Sequence, residues 1–297
     1  MTIIFARYAP PSSRSFAMRA FNSRETEINE HFWSFKVVSE YSGYLARSKK
    51  TEDAATPTAT LFHAVGPDAR RIPPTVADWL NAQKELENWL RQSAIVSAAA
   101  YFEAYLRQVV VSALMSDPMA RYGAARLVDG VTLLKRGVEI PCQEDVESIT
   151  KGDWSARAAA LTKLFHKCPD GVRNNLADLE RIRSLRNDFA HGFGRNLSIP
   201  SPSELDTRPA NRLSHARFIK YFGVISRAAK SIDRYLMQNF IGSFEMLHFY
   251  QMRGKPAKPE DAGYDPIRAL QRCLNRDTGT PVPGEFCLAL IRHYDSC

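Results

Sequence analysis

The stretch Arg186-Asn187-Asp188-Phe189-Ala190-His191 is where residue types and spacing in this 297-residue chain can do chemistry. The imidazole of His191 changes protonation state near neutral pH, so it can take a proton in one step and return it in another. The guanidinium of Arg186 keeps its charge and presents a planar fork of donors that matches a phosphate. Together these groups meet the needs of RNA cleavage through the neighbouring 2′-hydroxyl. The imidazole removes the hydroxyl proton or protonates the leaving 5′-oxygen, and the guanidinium stabilises the extra negative charge of the pentacoordinate transition state. Asn187 can donate to a phosphate oxygen or orient the histidine. The scheme calls for no metal and no cofactor, and no His, Cys and carboxylate residues stand at metal-ligand spacing along the chain.

Each of these residues also has a plainer use. His191 can cap the carbonyls of a helix end, where the helix dipole favours its protonated form and Gly192 follows as a C-cap. Arg186 can pair with Asp188 or with an acid on a neighbouring helix, a minor contribution at a surface. The company of Arg186, Asn187 and His191, not any one of them, is what points to catalysis.

A helix is needed to hold them. Val172, Leu176, Leu179, Ile182, Leu185 and Phe189 recur every three or four residues and predict one helix from Val172 to Phe189. Asn187 and His191 then share a face, with Arg183 one turn further back. Upstream, Thr75 can cap a long helix from Val76 to about Met115, with Asp78 in its first turn and Asp117-Pro118 as its stop. Downstream, Phe218, Phe222, Ile225, Ala229, Ile232 and Leu236 predict another long helix from about Asn211 to Asn239. Such stripes can be buried only against one another, so the fold class expected is all-α, an antiparallel helical bundle over 75–239. Between the long helices lie a connector with a short hairpin around VTLLKRGVEIP and a helix from Asp153 or Ser155 to about His166. An N-terminal extension, 1–74, carries one helix near Glu25 to Ala46. A C-terminal extension, 240–297, carries helical pieces near Phe244 to Met252, Pro266 to Leu274 and Gly284 to Tyr294.

RNDFAH resembles the R-x4-H signature of the HEPN superfamily, in the form with asparagine directly after the arginine. The upstream segment IVSAAAYFEAYLRQVV is similar to the aromatic and acidic first helix of such domains, and the helix after the motif to their last one. The resemblance covers roughly Thr75 to Asn239. It implies a homodimer in which the Arg and His of both protomers line one cleft, acting as a metal-independent endoribonuclease that leaves a 2′,3′-cyclic phosphate. It also implies a toxin or anti-phage defence role, with restraint by an antitoxin, another regulatory partner or a terminal region. Arg186 and His191 are then the catalytic pair and Asn187 the accessory polar residue. Glu103 and Arg107, four residues apart, read equally as an intrahelical salt bridge or as one residue turned into the dimer cleft. Tyr101, Phe102 and Tyr105 read as core and dimer contacts ahead of base-stacking platforms. A non-catalytic HEPN module that binds nucleotide, RNA or protein is the alternative reading.

Composition sets the bounds. With 40 Lys and Arg against 32 Asp and Glu, the formal charge is +8, which suits a polyanionic partner without distinguishing RNA from DNA or from mere solubility. A DNA-directed regulator has only that charge in its favour, since no helix-turn-helix or zinc-finger pattern is present. Arg195, Lys220, Arg227, Lys230 and Arg234 can supply phosphate contacts or form a solvated helix face. The five cysteines are widely spaced and lack a C-x-x-C pair, as free thiols in a reducing cytoplasm would be. Pro10 and Pro11 break the basic N-terminal segment and argue against a targeting helix. Ala94 to Met115 approaches membrane-spanning length, but Glu103, Arg107 and Gln108 near its middle would cost several kcal/mol in lipid, so a buried core helix and a cytoplasmic, membrane-free protein are expected.

Overall fold

The computed structural model describes residues 5–50, 55–63, 66–192, 212–254, 265–279 and 281–297. The protein is an all-α helical bundle, 76% helical, with no strand among the described residues. Its helices are α1 (Phe16–Lys50), α2 (Val76–Ser116), α3 (Gly130–Lys135), α4 (Gln143–Thr150), α5 (Trp154–Phe165), α6 (Asp170–Arg173), α7 (Leu176–Gly192), α8 (His215–Leu236), α9 (Phe244–Phe249), α10 (Pro266–Cys273) and α11 (Gly284–Ser296).

Local chemistry explains the boundaries. At the start of α2 the Thr75 hydroxyl accepts from the Asp78 amide at 3.2 Å and meets the Asp78 carboxylate at 2.7 Å, so an otherwise orphaned amide is satisfied. Asp153 begins α5 by accepting from the Ala156 amide at 2.8 Å, and His166, in the left-handed region at φ 62°, ends it. The single helix expected over Val172 to Phe189 is two. Asn175 donates from its side chain to the Gly171 carbonyl and from its backbone to Val172, which tightens the chain into a turn before α7 resumes.

A second expectation is overturned. The segment VTLLKRGVEIP does not form a hairpin, because Asp129 accepts from the Val131 amide at 3.0 Å and nucleates α3 instead. An aspartate just before an apolar run is a helix start, and here that signal outweighs the turn signal of Arg136-Gly137.

The chain forms two compact units, each assembled from separate stretches and cutting across the three regions visible in the sequence. The first comprises Met1–Asn22, Tyr101–Glu180 and Val224–Cys297. Its core includes Met18, Phe21, Phe102, Tyr105, Leu114, Phe165, Ile232, Phe244 and Leu290. Phe102 stacks on Trp154 with centroids 5.7 Å apart, and the Tyr105 hydroxyl donates to the Ala229 carbonyl, so these two aromatics are core residues. The second unit comprises Ser23–Ala100 and Arg181–Gly223. Phe32 and Phe218 meet at 4.3 Å in its interior, and Ala46, Val76 and Leu80 form a further buried cluster. Buried Asn88 accepts from the Leu213 amide and Arg91 donates to the Leu213 carbonyl, both at 2.8 Å, which sets the approach to α8. Helix α2 is long and apolar enough to cross a membrane by length and composition, with 44% of its most apolar window buried.

Candidate functional site

Helix α7 carries the motif into the second unit from Arg181 onward. Ile182 is fully buried, while Arg183, Leu185, Arg186, Asn187 and Phe189 are half-buried and Arg181, Asp188 and Ala190 exposed. The 3.6-residue period places Arg186 on the row of Ile182 and beside Phe189, on the apolar side of the helix, whereas Arg183 and Asn187 form the adjoining row. Phe189 lies against the Trp89 ring of α2, centroids 6.5 Å apart, and Trp89 is itself 45% exposed. His191 and Gly192 continue the α7 backbone; the His191 side chain lies outside the described residues, as do Arg195 and the proline and serine loop from Ser198 to Pro209.

Helical geometry separates the two residues expected to act together, Arg186 and His191. Five residues correspond to a rotation of about 140° beyond a full turn, so positions 186 and 191 fall on different sides of the α7 backbone. Positions 187 and 191, four apart, are separated by only about 40° round the helix.

Glu103 and Arg107 belong to the other unit. Glu103 is met by Arg157 of α5 at 3.4 Å, and that arginine, 4% exposed at its side chain, also covers the Trp154 ring at 5.0 Å. Arg107 is exposed and helps to hold the Glu147 carboxyl below the usual carboxylate range, after the larger effects of Lys151 and Gln143. The Arg157 partnership leaves no trace in local spacing, because the two residues lie 54 positions apart.

No family model, curated protein or solved structure matches this chain.

Folding also assembles groups that linear spacing hides. Asp129, His293 and Cys297 bring donor atoms within 4.8 Å of one another in the first unit. Arg7 already holds Asp129 through Nε at 2.8 and 3.0 Å, and the Val131 amide claims Oδ1, so the carboxylate is committed to a cation and a helix cap. Burial, then Asp129, raises the Cys297 thiol, which works against the thiolate that a soft metal would need.

The start of α1 is fastened by two buried acids. Asp233 of α8 accepts from the Ser15 amide and hydroxyl, and Glu245 of α9 accepts from the Phe16 amide at 2.8 Å. Burial raises Glu245 to about 7; the Phe16 amide and Ser112 oppose that, Asp233 adds to it, and Arg19 opposes it. Asp233 is raised as well, again chiefly by burial. A carboxyl whose pKa is higher in the folded chain than the ordinary 4.5 binds more protons there. Its contribution is therefore fully present below about pH 4.5 and is lost as pH rises through about 7, at a cost of roughly 3 kcal/mol. Glu245→Gln should accordingly raise the urea midpoint at pH 8 and leave it nearly unchanged at pH 4.5, since a glutamine oxygen can still accept from the Phe16 amide. Equal effects at both pH values would refute this account of the clamp.

Proposed function

We propose that the chain is a metal-independent endoribonuclease of HEPN type, a toxin or defence effector in the cytoplasm, in which His191 acts as acid and base and Arg186 stabilises the phosphate. The observation that carries this reading is the half-exposed setting of Arg186 and Asn187 on the same helix that contains His191. A guanidinium against the apolar flank of a helix is partly shielded from water, so its attraction for a phosphate is stronger than that of a fully solvated arginine.

The separation of positions 186 and 191 round the α7 backbone supports a site shared by two copies. One protomer's arginine then serves the scissile phosphate beside its partner's histidine. A homodimer also accounts for the apolar surface of the second unit: Trp33, Val37, Tyr41 and Tyr44 of α1 recur at helical spacing and are 43 to 68% exposed. Large exposed aromatic and aliphatic rows of this kind mark surfaces that another chain covers.

The test is incubation of the purified protein with total RNA in EDTA, followed by mapping of the cut ends. Fragments ending in 2′,3′-cyclic phosphate are the expected result. RNA that survives intact, or cleavage only after a divalent metal is added, would remove the nuclease reading and leave a binding module.

A further inference from the structure

We infer that the first unit holds a binding cleft for a compact polyphosphate, of the kind carried by a nucleoside di- or triphosphate. This inference is independent of the ribonuclease reading. A recess of about 480 Å³ lies where Lys167 and the α6 turn face α8. Arg227, Lys230 and Arg234 line it from α8 at i, i+3 and i+7, so they share one helix face. Lys167 stands on the facing wall, with its ammonium 5.9 Å from the Tyr235 ring centroid.

Charge decides the class of occupant. The four cations share the recess with a single carboxylate, Asp170, which is paired with Arg173 at 2.8 Å. No carboxylate lies within ion-pair distance of Lys167, Arg227, Lys230 or Arg234 among the described residues. Cations gathered round a concavity without counter-charges repel one another, and a multiply charged anion relieves that repulsion while its oxygens take up the donors. An isolated carboxylate or a neutral ligand would leave most of the positive charge uncompensated.

The walls are also fixed. At Gly171 a Cβ would stand 2.5 Å from the Ser231 Cβ and 2.6 Å from the Arg227 carbonyl oxygen, so only glycine lets the α6 turn sit this close to α8. The Gly171 amide donates to the Ser231 hydroxyl at 3.0 Å, and that hydroxyl keeps its own hydrogen for an anion. Tyr235 donates to the Phe165 carbonyl at 2.6 Å, which holds its ring on the wall of the recess. A recess of this size suits a compact ligand better than a long strand, which needs an extended groove.

Isothermal titration of the full chain in EDTA, with sodium tripolyphosphate, ATP and a 2′-O-methyl oligoribonucleotide that cannot be cut, tests the proposal. Tripolyphosphate and ATP should both bind, and the double variant Lys230→Glu with Arg234→Glu should weaken both by about tenfold or more. Both side chains are exposed, so the fold should tolerate the exchange; Lys167→Glu on the opposite wall provides a second variant with the same expected loss. His191→Ala should bind as the wild type does, which keeps this result separate from that of the cleavage assay. Failure of both phosphates to bind, undiminished binding by the variants, or binding of the oligonucleotide alone would overturn the inference.

Discussion

Replacing His191 with alanine should slow RNA cleavage by between about 10²- and 10⁴-fold, the range expected when a positioned acid–base group is removed. The α7 backbone should persist, because alanine is the strongest helix former. Circular dichroism should therefore be unchanged while the appearance of cyclic-phosphate ends in EDTA falls. Arg186→Lys keeps the charge but not the planar fork, so it should retain more activity than Arg186→Ala. A shared site makes a further demand. When His191→Ala and Arg186→Ala proteins are mixed, a hybrid dimer again has one intact imidazole and one intact guanidinium. Cleavage by the mixture should exceed that of either variant alone, and a mixture no better than its components would count against a site made by two chains.

Gly130→Ala should cost about 3 kcal/mol or more of stability, at the severe end for a single added methyl group. A Cβ there would lie 1.7 Å from the Met115 carbonyl oxygen and 2.8 Å from that of Ser116, and neither backbone atom can swing aside as a long side chain would. Displacing the start of α3 would also disturb Asp129, which caps that helix and holds Arg7. Arg7 in turn donates to the carbonyls of Ser116 and Ile241, so three segments share the strain. Urea unfolding gives the measurement, and a loss below about 1 kcal/mol would mean that α3 does not approach the end of α2 so closely.

The sequence made some parts of this architecture readable and hid others for physical reasons. Thr75 with Asp78, and Asp153 at α5, act through neighbours three residues away, so their caps are visible as local patterns. The apolar stripe of α8 and the long apolar run in α2 are likewise short-range signals. Arg136-Gly137 misleads because it fits a hairpin turn, and only the folded chain shows that the Asp129 helix cap prevails. The division into two units is hidden because it rests on contacts such as Ser15 with Asp233, 218 positions apart, which no local window can contain. For the candidate site, residue types and spacing are plain, and the 3.6-residue period already places Arg186 on the row of Ile182. The pairing of Glu103 with Arg157 and the recess around Arg227 and Lys230 depend on which helices meet, and that is settled by tertiary packing alone.

The fastening of α1 has a temporal consequence during synthesis. Its opening amides await carboxylates at positions 233 and 245, and Arg7 awaits the carbonyl of Ile241. These groups must therefore remain unsecured until partners 218 to 234 residues further along the chain have left the ribosome. Nascent chains released before that point would expose Met18 and Phe21 to solvent and should be prime targets for chaperones and proteases.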